Sequence, residues 1–436
     1  MAISIRRKRE APRGRYTPNL WPVWIVAPVA LIAAAAVGWV IYHYAYTHFA
    51  QAAQGQTPAK PVDINDVLKA TVTALTLIGA VLAGLYAYRK QLLAEGDAHR
   101  SDASQLADRY TTAAEHLGHD QAAVRLAGVY ALARLADDWE EQRQVCIDVL
   151  CAYLRMPYEP DPIAPGHKTG EREVRHTIIR VIRDHLQQPD SATAWCTYHL
   201  DFTGADFDDV DFAKSHFRGT TSFRGAVFSS GTVRFNDATF NGGTVDFTGA
   251  VFSGGTVRFN NATFNGGFVG FDQALFSGGF VHFDHAVFSG GIVSLYEATF
   301  SGGTVRFNGA TFSGGKVHFT GAVFSGGTVS FDRATFSGSR VDFLAATFSG
   351  GTIHFDHARF SGGFVGFDHA RFSGGFVGFD QALFSGRVVN FVHAVFSGGT
   401  VDFVGARLSD GTVEFTDAVF SGTTIGWGPL PVPSDA

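Results

Sequence analysis

The stretch V-D-F-T-G-A-V-F-S-G-G-T at Val245–Thr256 recurs, with substitutions but almost no slippage, from Val233 to Trp427. Its aromatic positions alternate at intervals of five and seven: Phe247, Phe252, Phe259, Phe264, Phe271, Phe276, and onward to Phe415 and Phe420. Thirty of the thirty-three slots from Phe235 to Trp427 are Phe, the others being Leu295, Leu408 and Trp427. Two residues before each slot stands a smaller apolar residue, Val or Ile in one half of the unit and Ala in the other. Residues two apart on an extended chain point to one side, so V-x-F and A-x-F direct both ends inward and the middle residue to water. The S-G-G-T links and dipeptides such as T-G, D-H and N-N are turn chemistry. The pattern predicts a solenoid of very short strands, each coil burying its rings against those above and below.

Ahead of this array Phe202, Phe207, Phe212 and Phe217 are spaced by five, in L-D-F-T-G, A-D-F-D-D, V-D-F-A-K and S-H-F-R-G. Here the sequence resembles the pentapeptide-repeat proteins. That resemblance implies a mainly β chain, a right-handed quadrilateral β-helix with four pentapeptides per coil. The later unit reads as two such pentapeptides with two residues, usually Gly-Thr, added at one corner, so that a four-sided coil takes two units, or twenty-four residues. A twelve-residue coil competes with it, but would have to enclose two Phe per rung in a lumen that only small side chains fill without overpacking. In the four-sided coil Phe259, Phe283, Phe307, Phe331, Phe355, Phe379 and Phe403 form one interior ladder at a spacing of about 4.8 Å, and nine to ten coils make a rod about 45 Å long.

The organisation expected from the whole chain has five parts. Residues 1–20 are a basic tail with Arg6, Arg7, Lys8, Arg9, Arg13 and Arg15. Residues 21–90 read as a transmembrane hairpin with helices at about 21–44 and 68–88. The run Trp21 to Tyr44 is uncharged and bracketed by Trp21, Trp24, Tyr42 and Tyr44, and the second run closes on Arg89 and Lys90. A cleaved signal peptide is the alternative for the first run, since Ala50-Gln51-Ala52 imitates a cleavage site. The cationic ends place both termini in the cytoplasm by the positive-inside rule, giving a two-span protein of the cell membrane. Residues 91–198 read as a cytoplasmic α-helical module, with helices at Ala103–Leu117, Ala122–Ala136, Gln142–Leu154 and Arg172–Leu186 and a Pro-rich loop at Pro157–Gly170. The solenoid occupies 199–427, and 428–436 is a flexible tail. Within the module, R-Y-T-T-A-A-E-H-L (Arg109–Leu117) and V-R-L-A-G-V-Y-A-L-A-R-L-A-D-D (Val124–Asp138) resemble a segment of membrane-anchored pentapeptide-repeat proteins of actinobacteria. The second of them also resembles a single HEAT-type helix.

Candidate chemistry is sparse. Cys146, Cys151 and Cys196 are odd in number and lack C-x-x-C spacing, so they read as buried free thiols. His282, His285, His354, His357, His369 and His393 cluster on the rod, and His369 and His393 would stack in successive coils. Equivalent slots hold Asn, Gln, Glu, Gly, Arg and Ala, which marks a tolerant surface position rather than a metal site. Asp272, Asp284, Asp332 and Asp356 read as caps of corner amides. The Gly pairs follow the repeat and lack the phosphate-loop pattern. No catalytic, cofactor-binding or metal-binding residue is assigned, and no cofactor.

The expected function is therefore non-enzymatic: a membrane-tethered scaffold or interaction protein presenting a rigid β-solenoid to the cytoplasm, whose partners are the lipid bilayer and an unknown protein. The alternative is a DNA-mimic, gyrase-interacting protein, as some members of the family are. From His199 onward there are 20 Asp and Glu against 13 Lys and Arg, a net charge of −7 spread over the whole rod, and only Asp206, Asp208, Asp209 and Asp211 cluster. That weighs against copying a phosphate backbone and against binding nucleic acid. Helix Arg172–Leu186 is expected to cover the first coil, and the far end leaves room for an end-to-end homodimer.

Overall fold

The computed structural model describes residues 23–54, 63–385 and 388–433. The basic tail, Trp21, Pro22 and loop residues 55–62 lie outside the described residues, as do 386–387 and the last three residues of the tail. The chain divides into two compact units, Met1–Ala103 and Ser104–Ala436.

The first unit contains helix α1 (Val23–Gln54), with Pro28 inside it, and the first part of helix α2 (Ile64–Leu117). A Cβ on Gly38 would lie 3.5 Å from Leu75 Cδ1, so the two helices touch where the sequence allows close approach. Val67 and Thr71 are buried, and the Thr71 hydroxyl donates to the Val67 carbonyl at 2.8 Å. Among the described residues one helical stretch, Ile64–Gln91, is long and apolar enough to cross a membrane by length and composition, with a mean hydropathy of 1.8. The helix expected at Ala103–Leu117 is the end of α2 rather than a separate element.

In the second unit the repeat is a β-solenoid of about nine turns, built from parallel strands of mostly two or three residues. The register decides the coil: Thr263 pairs with Val287, Phe268 with Ile292, Leu275 with Thr299 and Phe280 with Thr304, each two units on. Four ladders run the length of the rod, so one coil takes twenty-four residues and the twelve-residue coil is excluded. Two kinds of corner alternate. At F-x-X-A the residue X is left-handed: Asn261, His285 and Ala345 have φ of 58°, 59° and 53°. The following Ala closes the turn, its N–H donating to the Phe carbonyl (Ala262 to Phe259, 3.0 Å), while the N–H of X reaches the next coil (Asn261 to Asp284, 3.0 Å).

At S-G-G-T the second glycine is left-handed and stacks on its counterpart. A Cβ on Gly303 (φ 68°) would sit 2.5 Å from the Gly279 carbonyl oxygen, and one on Gly302 would collide with that of Ser277. Glycine is needed here twice over, for φ and for space. Where Ser339 replaces the second glycine, the left-handed φ moves to Gly338, and the buried Ser339 hydroxyl donates to the Phe312 carbonyl at 3.0 Å.

The end of α2 packs with α3 (Ala122–Asp138), α4 (Arg143–Leu154) and α5 (Glu171–Leu186). A Cβ on Gly128 would meet the Leu117 amide nitrogen at 2.5 Å, so the glycine of V-R-L-A-G lets α3 cross the end of α2 in contact. Arg125, 3% exposed, donates to the carbonyls of His119 and Asp120 and pairs with Glu171 at 3.3 Å; Glu171 also accepts from the Tyr153 hydroxyl at 2.8 Å.

Helix α5 lies along the first coil. Arg172 meets Asp208 at 3.0 Å, Arg183 meets Asp211 at 3.1 Å, and His176 reaches the Asp208 carbonyl at 2.9 Å and its carboxylate at 3.6 Å. The acidic cluster at the start of the rod is thus taken up by the helix that covers the open end. At the other end Val413, Phe415, Ala418, Phe420, Ile425 and Trp427 are only partly buried, and Leu430 fills the place that Ala holds in other coils, its N–H donating to the Trp427 carbonyl.

The corner geometry sets the sign of two substitutions. Gly303→Ala should lower stability by at least about 2 kcal/mol in denaturant unfolding, because it adds left-handed strain to a backbone clash. Ala345→Gly should raise stability by about 0.5–1 kcal/mol, because it relieves the same strain and the methyl group it removes is on an exposed residue. At the junction the hydrogen bond to Asp208 raises the His176 pKa against the desolvation that lowers it. Desolvation pushes the Asp208 carboxyl up, yet the hydrogen bonds from His176 and Arg172 outweigh it and hold the carboxyl low. The His176 contribution is complete below its ordinary value of about 6.5 and is lost as pH rises through the folded value. The Asp208 contribution is complete above about 3.9 and is lost as pH falls through the folded value. Amide exchange in α5 should therefore quicken as pH rises above about 6.5, after correction for intrinsic rates, and His176→Gln should remove that dependence.

Candidate interaction surface of the rod

Among the described residues the interior of the rod is filled by side chains. Phe259, Phe283, Phe307, Phe331, Phe355, Phe379 and Phe403 stack in one column, with centroids 4.7–4.9 Å apart and planes within 7°. All seven are at most 2% exposed. Rings from opposite ladders meet edge to face, as Phe247 and Phe259 do at 5.9 Å, so the lumen is filled by mutually favourable ring geometries. Chemistry is confined to outward positions.

Two polar devices alternate there. The x residue of V-x-F caps its own corner: Asp246 Oδ1 accepts from the Thr248 amide at 2.8 Å, and Asp342, Asn390 and Asp402 repeat the arrangement. The residue after the Phe, where the sequence placed the capping Asp, in several coils reaches the following one. Asp284 takes Arg306 at 2.5 Å, Asp272 accepts from the Ser294 hydroxyl, and Asn308 accepts from Ser330 at 2.7 Å, each pair 22 residues apart. Asp332 faces His357 at 3.4 Å, and Asp356 pairs with His354 at 3.0 Å. Asp272, Asp284 and Asp332 thus tie coils together, Asp272 also caps a corner as expected by accepting from the Tyr296 amide at 3.1 Å, and Asp356 pairs within its own coil.

A third device was missed in the sequence. Where Thr before Val is replaced by Phe, the x residue is Gly in three of four cases, and the ring lies over it: a Cβ on Gly270, Gly366 or Gly378 would strike Phe268, Phe364 or Phe376 at 2.5–2.6 Å. The exception, Phe280, faces His282 edge-on and stays 51% exposed. The signal was the coupled change from T-V-x-F to F-V-G-F.

The histidines do not converge. His369 and His393 stack at 4.9 Å and His393 faces Asp417 at 3.7 Å, but no group of three His, Cys, Asp or Glu among the described residues is placed to hold a metal. The three cysteines are buried and unpaired by disulfides, and burial raises the Cys146 thiol to about 11 and the Cys151 thiol to about 12. Neither is a nucleophile near neutrality. A cleft of about 520 Å³ in the helical module lies between Leu117, Val149, Met156 and Lys168; of the titratable groups in its lining, His119 Nδ1 accepts from the Gln121 amide and the Tyr153 hydroxyl donates to Glu171.

Comparison with known proteins agrees with the coil geometry. The family model described as Pentapeptide repeats matches nine copies, over residues 202–250 and 283–335. No curated protein and no solved structure matches the chain. Taken with the four ladders and the five-residue spacing of Phe202 to Phe217, the match places pentapeptide repeats in the β-solenoid over residues 202–250 and 283–335.

Proposed function

We propose that the protein is a non-enzymatic, membrane-tethered scaffold that presents its solenoid to the cytoplasm as an interaction surface. The observation that carries this reading is the contrast between an interior held to Phe, Val and Ala and outward x positions of V-x-F and A-x-F that vary from coil to coil. In a solenoid outward residues change without disturbing the core, which suits a binding surface. A lumen filled with rings leaves no enclosed pocket for catalysis.

The tether rests on the apolar stretch Ile64–Gln91 and, in our reading, on a second span in α1, with the basic residues at 6–15 and at Arg89 and Lys90 keeping both termini cytoplasmic. The coil is taken as right-handed, the hand that parallel crossover connections favour. Half-exposed Phe415, Phe420 and Trp427 at the far end, beside strands with no coil beyond them, suit an end-to-end contact with a second copy. No surface observation favours the DNA-mimic alternative, since α5 occupies the one acidic cluster.

Proximity labelling from the C-terminus, combined with membrane extraction, tests this reading. The full chain should resist alkaline extraction from membranes and label a limited set of cytoplasmic proteins. Deletion of residues 21–90 should release it to the soluble fraction. A deletion variant that stays with the membrane, or labelling confined to extracytoplasmic proteins, would overturn the reading.

A further inference from the structure

Three identical segments lie on one ladder: T-V-R-F-N at Thr232–Asn236, Thr256–Asn260 and Thr304–Asn308, with F-V-H-F-D at Phe280–Asp284 between the second and third. The register places Arg258 beside Arg234 in the preceding coil and beside His282 in the following one, and His282 beside Arg306. Like charges opposite each other in a ladder repel unless something neutralises them. For Arg306 the chain supplies that group itself, the Asp284 carboxylate 22 residues earlier. The corresponding position for Arg258 is Asn236, an uncharged amide whose Oδ1 is buried and unpartnered.

Arg258 is exposed and has no hydrogen-bond or ion-pair partner for its guanidinium among the described residues. Arg234 beside it has only Asp209, at 4.0 Å, which Arg172 approaches more closely at 3.5 Å. The next rung adds no counter-charge: burial lowers the His282 pKa, and Arg306 and Arg258 lower it further against the pull of Asp284. Thr232 and Thr256 precede these arginines by two residues on the same outward face, adding a hydroxyl to each guanidinium.

We propose that Arg234 and Arg258, with Thr232 and Thr256, form a docking site for an extended acidic segment of a partner protein. Two carboxylates of that segment complete on these rungs the pair that Asp284 completes for Arg306. The inference rests on the reading of the rod as an interaction surface and adds the chemistry of its partner. The cations stand in single file along the rod, which matches a linear segment better than the two-dimensional array of a lipid surface. Same-side residues of an extended strand are about 6.8 Å apart and successive coils about 4.8 Å, a mismatch that the length of an arginine side chain absorbs.

The test is a fluorescence anisotropy titration of the full-length protein, in detergent micelles, with labelled octaglutamate at low ionic strength. Arg258→Gln should weaken binding about tenfold or more, and Arg258→Lys should retain part of it. Asn236→Asp, which supplies Arg258 with the internal carboxylate that Arg306 already has, should weaken binding as much as Arg258→Gln while leaving every cation in place. Arg371→Gln, on a different ladder, should bind as the unaltered protein does, and all four variants should keep its unfolding midpoint within experimental error.

Equal binding by Arg258→Gln, Asn236→Asp and the unaltered protein would overturn the proposal. So would tighter, equally Arg258-dependent binding of inorganic polyphosphate or of phosphatidylglycerol vesicles, which would make this a phosphate site. If cytoplasmic proteins still label while octaglutamate binding is unchanged in both variants, this proposal fails and the scaffold reading stands.

Discussion

Every feature of the rod follows from one constraint: each side chain is held about 4.8 Å from the residue twenty-four positions away, by parallel backbone pairing in strict register. A residue survives at a position only if it tolerates its own copy above and below. Phenylalanine does, because parallel-displaced rings attract at that distance and rings from opposite ladders present edges to faces. Glycine is required at S-G-G-T because no Cβ fits between stacked backbones. Charged residues are the awkward case, and the rod handles them by pairing across coils, as Arg306 does with Asp284.

The same constraint separates the two jobs of the chain. Inward positions are shared among all coils, so none can be specialised without breaking a column. Leu295 shows the tolerance: it replaces one Phe, stays 1% exposed, and interrupts the stack without opening it. Outward positions answer only to local neighbours, which is why Phe over Gly, His over His and unpaired Arg all occur on one scaffold. The ends are different again. The first coil is covered by a helix whose Arg172, His176 and Arg183 match Asp208 and Asp211, whereas the last coil leaves Phe415, Phe420 and Trp427 half exposed.

Most of the solenoid was legible because its signal is periodic. The alternation of five and seven states which residues face inward, and the pentads at Phe202–Phe217 suggest four sides. The surface was harder to read. Asp272 and Asp284 carry the side chain of a turn cap, and Asp272 does accept from a corner amide, that of Tyr296 in the next coil, but Asp284 is taken by Arg306, and the caps within one coil fall to the x residue of V-x-F, as at Asp246. In the helical region composition located α3, α4 and α5 closely, while α2 ran through the expected gap at residues 89–102, since nothing between the two periodic stretches breaks a helix.

By itself the sequence determined the repeat length, the inward residues, the turn glycines and the apolar run at about 68–88, all properties of neighbours along the chain. Only the tertiary structure decided that two units close one coil, that the corner residue X is left-handed, and that Arg258 lacks the carboxylate Arg306 possesses. Those depend on which residues meet twenty-two or twenty-four positions apart. That separation is set by the girth of a coil packed with rings, a quantity no local pattern contains.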